Sequence, residues 1–155
     1  PGLLLEDYPN ASAAYSLREL SEAMEGNAVV RVRRSNDNTE QDFTSSEITD
    51  GTLTTFTGAN DGFVTTWYDQ SGNSSNATQA TANEQPKLVS SGVVELDNGK
   101  PCIIWDNTND TMQIMSLGLL VKGKFRQTFG SSMNLIGGQS SSTDSKEHRY
   151  GRGRG

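Results

Sequence analysis

The stretch "FVTTWYDQSGNSSNATQ", Phe63 to Gln79, decides how this chain is read. Its first part alternates: Phe63, Thr65 and Trp67 project to one side, Val64, Thr66 and Tyr68 to the other. β-Branched and aromatic residues dominate it, the composition a pleated strand favours. The run ends at Trp67-Tyr68-Asp69 and breaks into Gln70, Ser71, Gly72 and Asn73. A strand ending in Asp before Ser-Gly-Asn sets up a turn whose backbone N–H groups the Asp carboxylate can accept.

Upstream, "AVVRVRRSNDN" reads as a second strand, with Val30 and Val32 facing in and Arg31 and Arg33 facing out. It closes in the turn cluster Ser35-Asn36-Asp37-Asn38. Before it, Leu17, Leu20 and Met24 fall at helical spacing behind Ser12 as an N-cap, and Gly26-Asn27 is a stop signal. This predicts one amphipathic helix of about 12 residues. Downstream, the polar segment 70–85 is expected to be an exposed loop. "PKLVSSGVVEL" and "KPCIIWD" give further short strands, turning at Ser90-Ser91-Gly92 and Asp97-Asn98-Gly99. Apolar residues from Met112 to Val121 predict at least one more strand, and "MNLIGG" another.

Ile48, Leu53 and Phe56 are expected to pack as a short helix or loop, and strands recurring every 8 to 15 residues, without intervening helices after the first, predict an antiparallel β-sandwich. The expected organisation is an N-terminal segment with the helix (1–27), a β-sandwich (28–138) and a flexible Gly/Arg tail (139–155). With 155 residues and 32% hydrophobic content the core is expected to be modest.

The net charge of −6 argues against broad phosphate-backbone binding, so no nucleic-acid partner is expected. No run of about 18 apolar residues occurs, so no membrane span is expected. Cys102 is the single cysteine and reads as a small buried strand residue. The single histidine, His148, sits in the tail, which leaves no base around which to build a nucleophilic triad.

The succession "AAYSLRELS", "VVRVRRSNDN", "GFVTTWYDQSGNSSNATQ" and "QPKLVSSGVVELDNGKPCIIWD" resembles a concanavalin A-like jelly-roll module. Such modules occur in phage virion proteins and in phage-like or marine bacterial reading frames. The Tyr-Asp-Gln-Ser-Gly signature is also similar to part of the catalytic domain of fungal α-L-arabinofuranosidase B. The resemblance covers roughly residues 3 to 110. It implies a jelly-roll sandwich that here reaches its tail early, and so is incomplete or completed by a neighbouring chain. It implies a structural or adhesion component of a virion, a fibre or decoration module, whose partners are other virion proteins, copies of itself and a cell-surface glycan. The vicinal cysteines and acidic catalytic segment associated with the arabinofuranosidase are not recognisable here. Shared fold does not transmit activity, and the alternatives are a glycoside hydrolase and a free carbohydrate-binding module.

A glycosidase needs two carboxyl groups at a set separation. Asp61, Asp69, Glu95, Asp97, Asp106 and Asp110 are available, none within a recognisable partner motif. No catalytic residue is therefore assigned. Trp67, Tyr68, Asp69 and Asn73 form the candidate glycan-binding set, weighed against core packing for Trp67 and turn-capping for Asp69. Asp106 to Asp110, "DNTND", carries calcium-friendly oxygens, but its first reading is a polar turn, so no cofactor is expected.

Overall fold

The computed structural model describes residues 2–122 and 133–135, with side chains through residue 118. The predicted tail, His148 included, lies outside the described residues. The elements run α1 (Leu4–Asp7), β1 (Ala13–Tyr15), β2 (Ala28–Arg34), β3 (Glu40–Thr44), α2 (Ser45–Thr49), α3 (Thr52–Thr57), β4 (Gly62–Trp67), β5 (Ala77–Thr78), β6 (Lys87–Ser90), β7 (Val93–Val94), β8 (Leu96–Asp97), β9 (Lys100–Pro101), β10 (Thr111–Ile114), β11 (Leu119–Lys122) and β12 (Met133–Leu135). Among the described residues every strand pairing is antiparallel, and the protein is mainly β, of the β-sandwich class.

Strand β4 organises the main sheet. One edge pairs with β2, which in turn pairs with β3. The other edge is shared: β6 meets its Gly62–Phe63 end and β5 its Thr66–Trp67 end. Between them, Val64 N donates to Pro86 O at 2.8 Å and Gln79 N to Thr65 O at 2.9 Å, so the split edge keeps its backbone groups paired. β5 passes the sheet on to β10 and β11. The two predicted turns form as tight hairpins, with positive φ at Ser91-Gly92 and at Asn98-Gly99.

The core gathers Val30, Val32, Phe43, Val64, Trp67, Leu88, Met112 and Ile114 from the sheet. Ile48 and Leu53 reach it from α2 and α3, and Ala13 and Tyr15 from β1. Helix α2 starts on a capping box: Glu47 N donates to Thr44 Oγ1 at 3.3 Å, and Thr44 N donates to Glu47 Oε2 at 2.8 Å.

The helix predicted behind Ser12 does not form. Ala13–Tyr15 is a strand, residues 16–20 run irregularly, and only a single 3₁₀ turn follows at Glu22–Met24. All three residues of β1 are buried, which an amphipathic helix with a wet face would not give. Its ladder partner is β12, in the register Ala13↔Leu135. Leu17 and Leu20, assigned to one helical stripe, enter different clusters.

The strict alternation expected of β2 and β4 is also corrected. The pairing between them shifts register between Arg31 and Val32, and the β2–β3 pairing shifts between Ala28 and Val30. Such bulges turn the side chains beyond them to the other face. Hence Val64 and Trp67 both reach the core, while Phe63 meets the cations of Arg33 and Lys87 at 4.9 and 5.4 Å. Arg33, expected in solvent, is buried. Its guanidinium donates to Gln85 Oε1 and Asn38 Oδ1, both at 2.8 Å.

Candidate functional site

Trp67 is 1% exposed, and its ring lies 5.7 Å from that of Tyr15. It is a core residue, as the packing reading expected. Tyr68 faces the other way. Its hydroxyl donates to Asp42 Oδ1 at 2.7 Å, where Arg31 also binds Asp42 and Glu40. Partial burial, and then the bond to Asp42, push the Tyr68 phenol above its ordinary pKa.

Asp69 is buried and accepts from four donors. Oδ1 takes Ala14 N and Ser71 N, each at 2.8 Å; Oδ2 takes Ser71 Oγ at 2.8 Å and Ser75 N at 3.0 Å. The turn-capping role expected of it is present, and a long-range role is added. Its own N–H donates to Asn76 Oδ1 at 3.0 Å. The Tyr15 hydroxyl, one residue beyond Ala14, donates to Ser75 O. Burial, with the Asp69 charge second, raises the Tyr15 pKa.

Gln70 continues the pattern. Its N–H donates to Ala14 O at 2.8 Å, so Asp69 and Gln70 together occupy both backbone groups of Ala14, much as a paired strand would. The Gln70 amide then accepts from Leu20 N at 2.9 Å and donates to Ser16 O and Arg18 O at 3.1 and 2.9 Å. Asn73 Nδ2 donates to Ala11 O and Ser12 O at 3.0 and 3.1 Å. The four residues proposed for glycan contact are thus not gathered on one open surface. Trp67 is in the core, Tyr68 joins a charged surface cluster, and Asp69 and Asn73 hold residues 11–14.

Sequence reasoning missed three glutamines. Gln70, Gln79 and Gln85 lie in the segment read as an exposed loop, yet all are buried. Gln79 donates to Thr111 O at 3.0 Å, and Gln85 donates to Gln79 O at 2.9 Å while accepting from Arg33. They recur among residues that are mostly Ser, Asn, Thr and Ala. A side chain with two donors and an acceptor, long enough to reach neighbouring backbone, was the available signal.

Two of the carboxylates weighed for catalysis, Asp61 and Asp106, hold neighbouring groups of the fold. Asp61 pairs with Lys87 Nζ at 2.9 Å and accepts Ser91 N at 2.8 Å; these contacts, the N–H first, depress its pKa. Asp106 Oδ1 accepts N–H groups of Thr108, Asn109 and Asp110 at 2.8, 3.1 and 3.3 Å, which lower its pKa. That geometry is the polar turn expected of "DNTND". Among the described residues, no three His, Cys, Asp or Glu converge as a metal-ligand set, and no helix is long and apolar enough to cross a membrane.

The described residues line cavities that include the following. One of about 370 Å³ lies between Ile48, Thr54, Val94 and Pro101. A second, of about 430 Å³, is bounded by Gln41, Asp50, Thr52 and Phe56. Another, also about 430 Å³, lies beside Phe63, Lys87, Glu95 and Asp110.

No family model matches the chain, and no curated protein matches it. Among solved structures, a GH54 α-L-arabinofuranosidase soaked with a cyclic sulfate inhibitor is similar at 21% identity and a TM-score of 0.44, over 55% of this chain. The match spans 21% of that enzyme's length.

Proposed function

We propose that the chain is a non-enzymatic structural or adhesion module, a rigid β platform that packs with copies of itself and with other proteins of a virion. The observation that carries the reading is the use made of "WYDQSGN". Its indole packs the core, and its carboxylate and amides hold backbone that is as much as 62 residues distant. Side chains so occupied are fixed in place, and the Asp69 carboxylate spends its acceptors on four donors of the fold. Val93 and Leu96 are 67% and 49% exposed, an exposure that packing against another copy would remove. The support for the virion setting is the resemblance of the sequence to phage jelly-roll modules.

Sedimentation velocity over a concentration series, run beside hydrolysis of aryl glycosides that include an α-L-arabinofuranoside, tests the reading. Concentration-dependent self-association with no aglycone release supports it. A strict monomer that releases aglycone, and loses that activity with Asp69→Asn or Glu95→Gln, overturns it in favour of a glycoside hydrolase.

A further inference from the structure

The β8–β9 hairpin carries a chemistry that the proposed function leaves unused. Its turn holds Asn98-Gly99, the single Asn-Gly pair in the chain. An asparagine side-chain amide lies within reach of the next residue's backbone nitrogen, and attack there closes a five-membered ring. Such intramolecular attack gains from proximity, and a following glycine leaves the nitrogen unshielded.

The turn presents both reacting groups. Asn98 and Gly99 are exposed, and a Cβ built on Gly99 meets nothing within 4 Å. Among the described residues no hydrogen bond engages the Asn98 amide or the Gly99 N–H. Asn73, which precedes the small residue Ser74, is the contrast. Its amide donates to Ala11 O, Ser12 O and Ser71 Oγ at 3.0, 3.1 and 3.1 Å.

The backbone is also placed for ring closure. φ is +50° at Asn98 and +74° at Gly99, the type I′ pattern. A type II′ turn shares the positive φ at its first central residue and differs by a flip of the peptide plane between the two. That flip brings Gly99 N round to the side of the Asn98 Cβ, from which it reaches Cγ. Gly99 can follow, because glycine takes either sign of φ. β8 and β9 form a sheet of their own, paired only as Leu96↔Pro101 and Asp97↔Lys100 among the described residues. So short a hairpin opens readily.

We propose that Asn98 is a site of spontaneous deamidation in the folded protein. The Gly99 nitrogen bonds to Asn98 Cγ, its proton leaves with the side-chain nitrogen as ammonia, and a cyclic imide remains. Water then opens the imide at either carbonyl, giving aspartate or isoaspartate. Both products add a negative charge beside Leu96, which lines a cavity with Val93 and Val94. Isoaspartate also carries the main chain through the side-chain carbon, lengthening the turn that sets the Asp97↔Lys100 register.

The test holds the full chain at mildly alkaline pH and body temperature, native and in urea, and follows it by peptide mass mapping with fragmentation that separates aspartate from isoaspartate. In the native chain Asn98 is expected to convert ahead of every other asparagine, Asn73 included, with both products present and one ammonia released for each. Its native rate is expected to lie within about tenfold of the rate in urea. Gly99→Ala, whose methyl shields the attacking nitrogen, is expected to slow conversion about tenfold or more in both conditions. An Asn98 that stays intact in the native chain and converts only in urea overturns the proposal. So does faster conversion at another asparagine, or an undiminished rate in Gly99→Ala.

Discussion

The Asp69 carboxylate receives the backbone N–H of Ala14 at 2.8 Å across 55 positions of sequence. The contact explains why a polar turn follows the aromatic end of β4. The turn closes over the first strand and supplies hydrogen bonds that a neighbouring strand would otherwise provide. Asp69→Ala leaves the N–H groups of Ala14, Ser71 and Ser75 without this acceptor. We expect a loss of about 3 kcal/mol, read as a lower urea midpoint at unchanged slope.

Gln70 is 2% exposed and bonds three residues of the 16–20 segment. Gln70→Ala is expected to cost about 2 kcal/mol. Gln70→Glu fares no better, since a carboxylate has no donors for the carbonyls of Ser16 and Arg18. Rescue by glutamate would contradict this role.

At Trp67, bulk outweighs the polar handle. Its Nε1 is buried without a hydrogen-bond partner among the described residues, so replacing the indole by phenyl strands no acceptor. Trp67→Phe is therefore expected to cost about 1–2 kcal/mol, and Trp67→Ala about 4 kcal/mol through the cavity it opens. Chemical denaturation of both variants measures the gap. Equal losses would contradict the packing account of this site.

Gly92 and Gly72 separate strain from crowding. Both have positive φ, +80° and +88°. A Cβ on Gly92 would come within 2.3 Å of Gly58 O, whereas one on Gly72 meets open space. Gly72→Ala is expected to cost about 1 kcal/mol from the backbone alone. Gly92→Ala should cost clearly more, because carbonyl and turn must part. Matching melting temperatures for the two variants would disprove the crowding.

Acid should weaken the fold partly through Asp61. The Ser91 N–H, then Lys87, hold its folded pKa below the ordinary value near 3.8. A depressed carboxylate contributes stability that is complete above the unfolded pKa and fades as pH falls through the folded one. Stability should therefore decline below about pH 4, and Asp61→Asn should flatten that decline while lowering stability at neutral pH. An identical slope in the variant would exclude Asp61 as a source.

Much of the fold was legible because it is local. The composition of Phe63–Trp67, the Ser91-Gly92 and Asn98-Gly99 turns and the apolar run after Thr111 announce strands and hairpins by themselves. The first 27 residues were not, because their conformation is set by side chains about 50 positions away. Leu17, Leu20 and Met24 show helical spacing, yet their neighbours' backbone is held by Gln70. Face assignment failed on β2 and β4 for a related reason. A bulge adds one residue to the count between strands and leaves no mark in composition. At the site, Trp67 and Asp69 were readable from position and turn chemistry. The cavity at Phe63 was not, since it joins residues from 63 to 110 that only the sheet brings together.

Hydrogen exchange at Ala14 and Leu20 tests most directly whether the aromatic-acid turn fastens the first strand. In the native chain both amides should be protected about as well as Val32 in β2. Asp69→Asn should speed Ala14, and Gln70→Ala should speed Leu20, by at least about tenfold, while Val32 stays slow. Rapid exchange of both amides in the native chain, or unchanged protection in both variants, would contradict it.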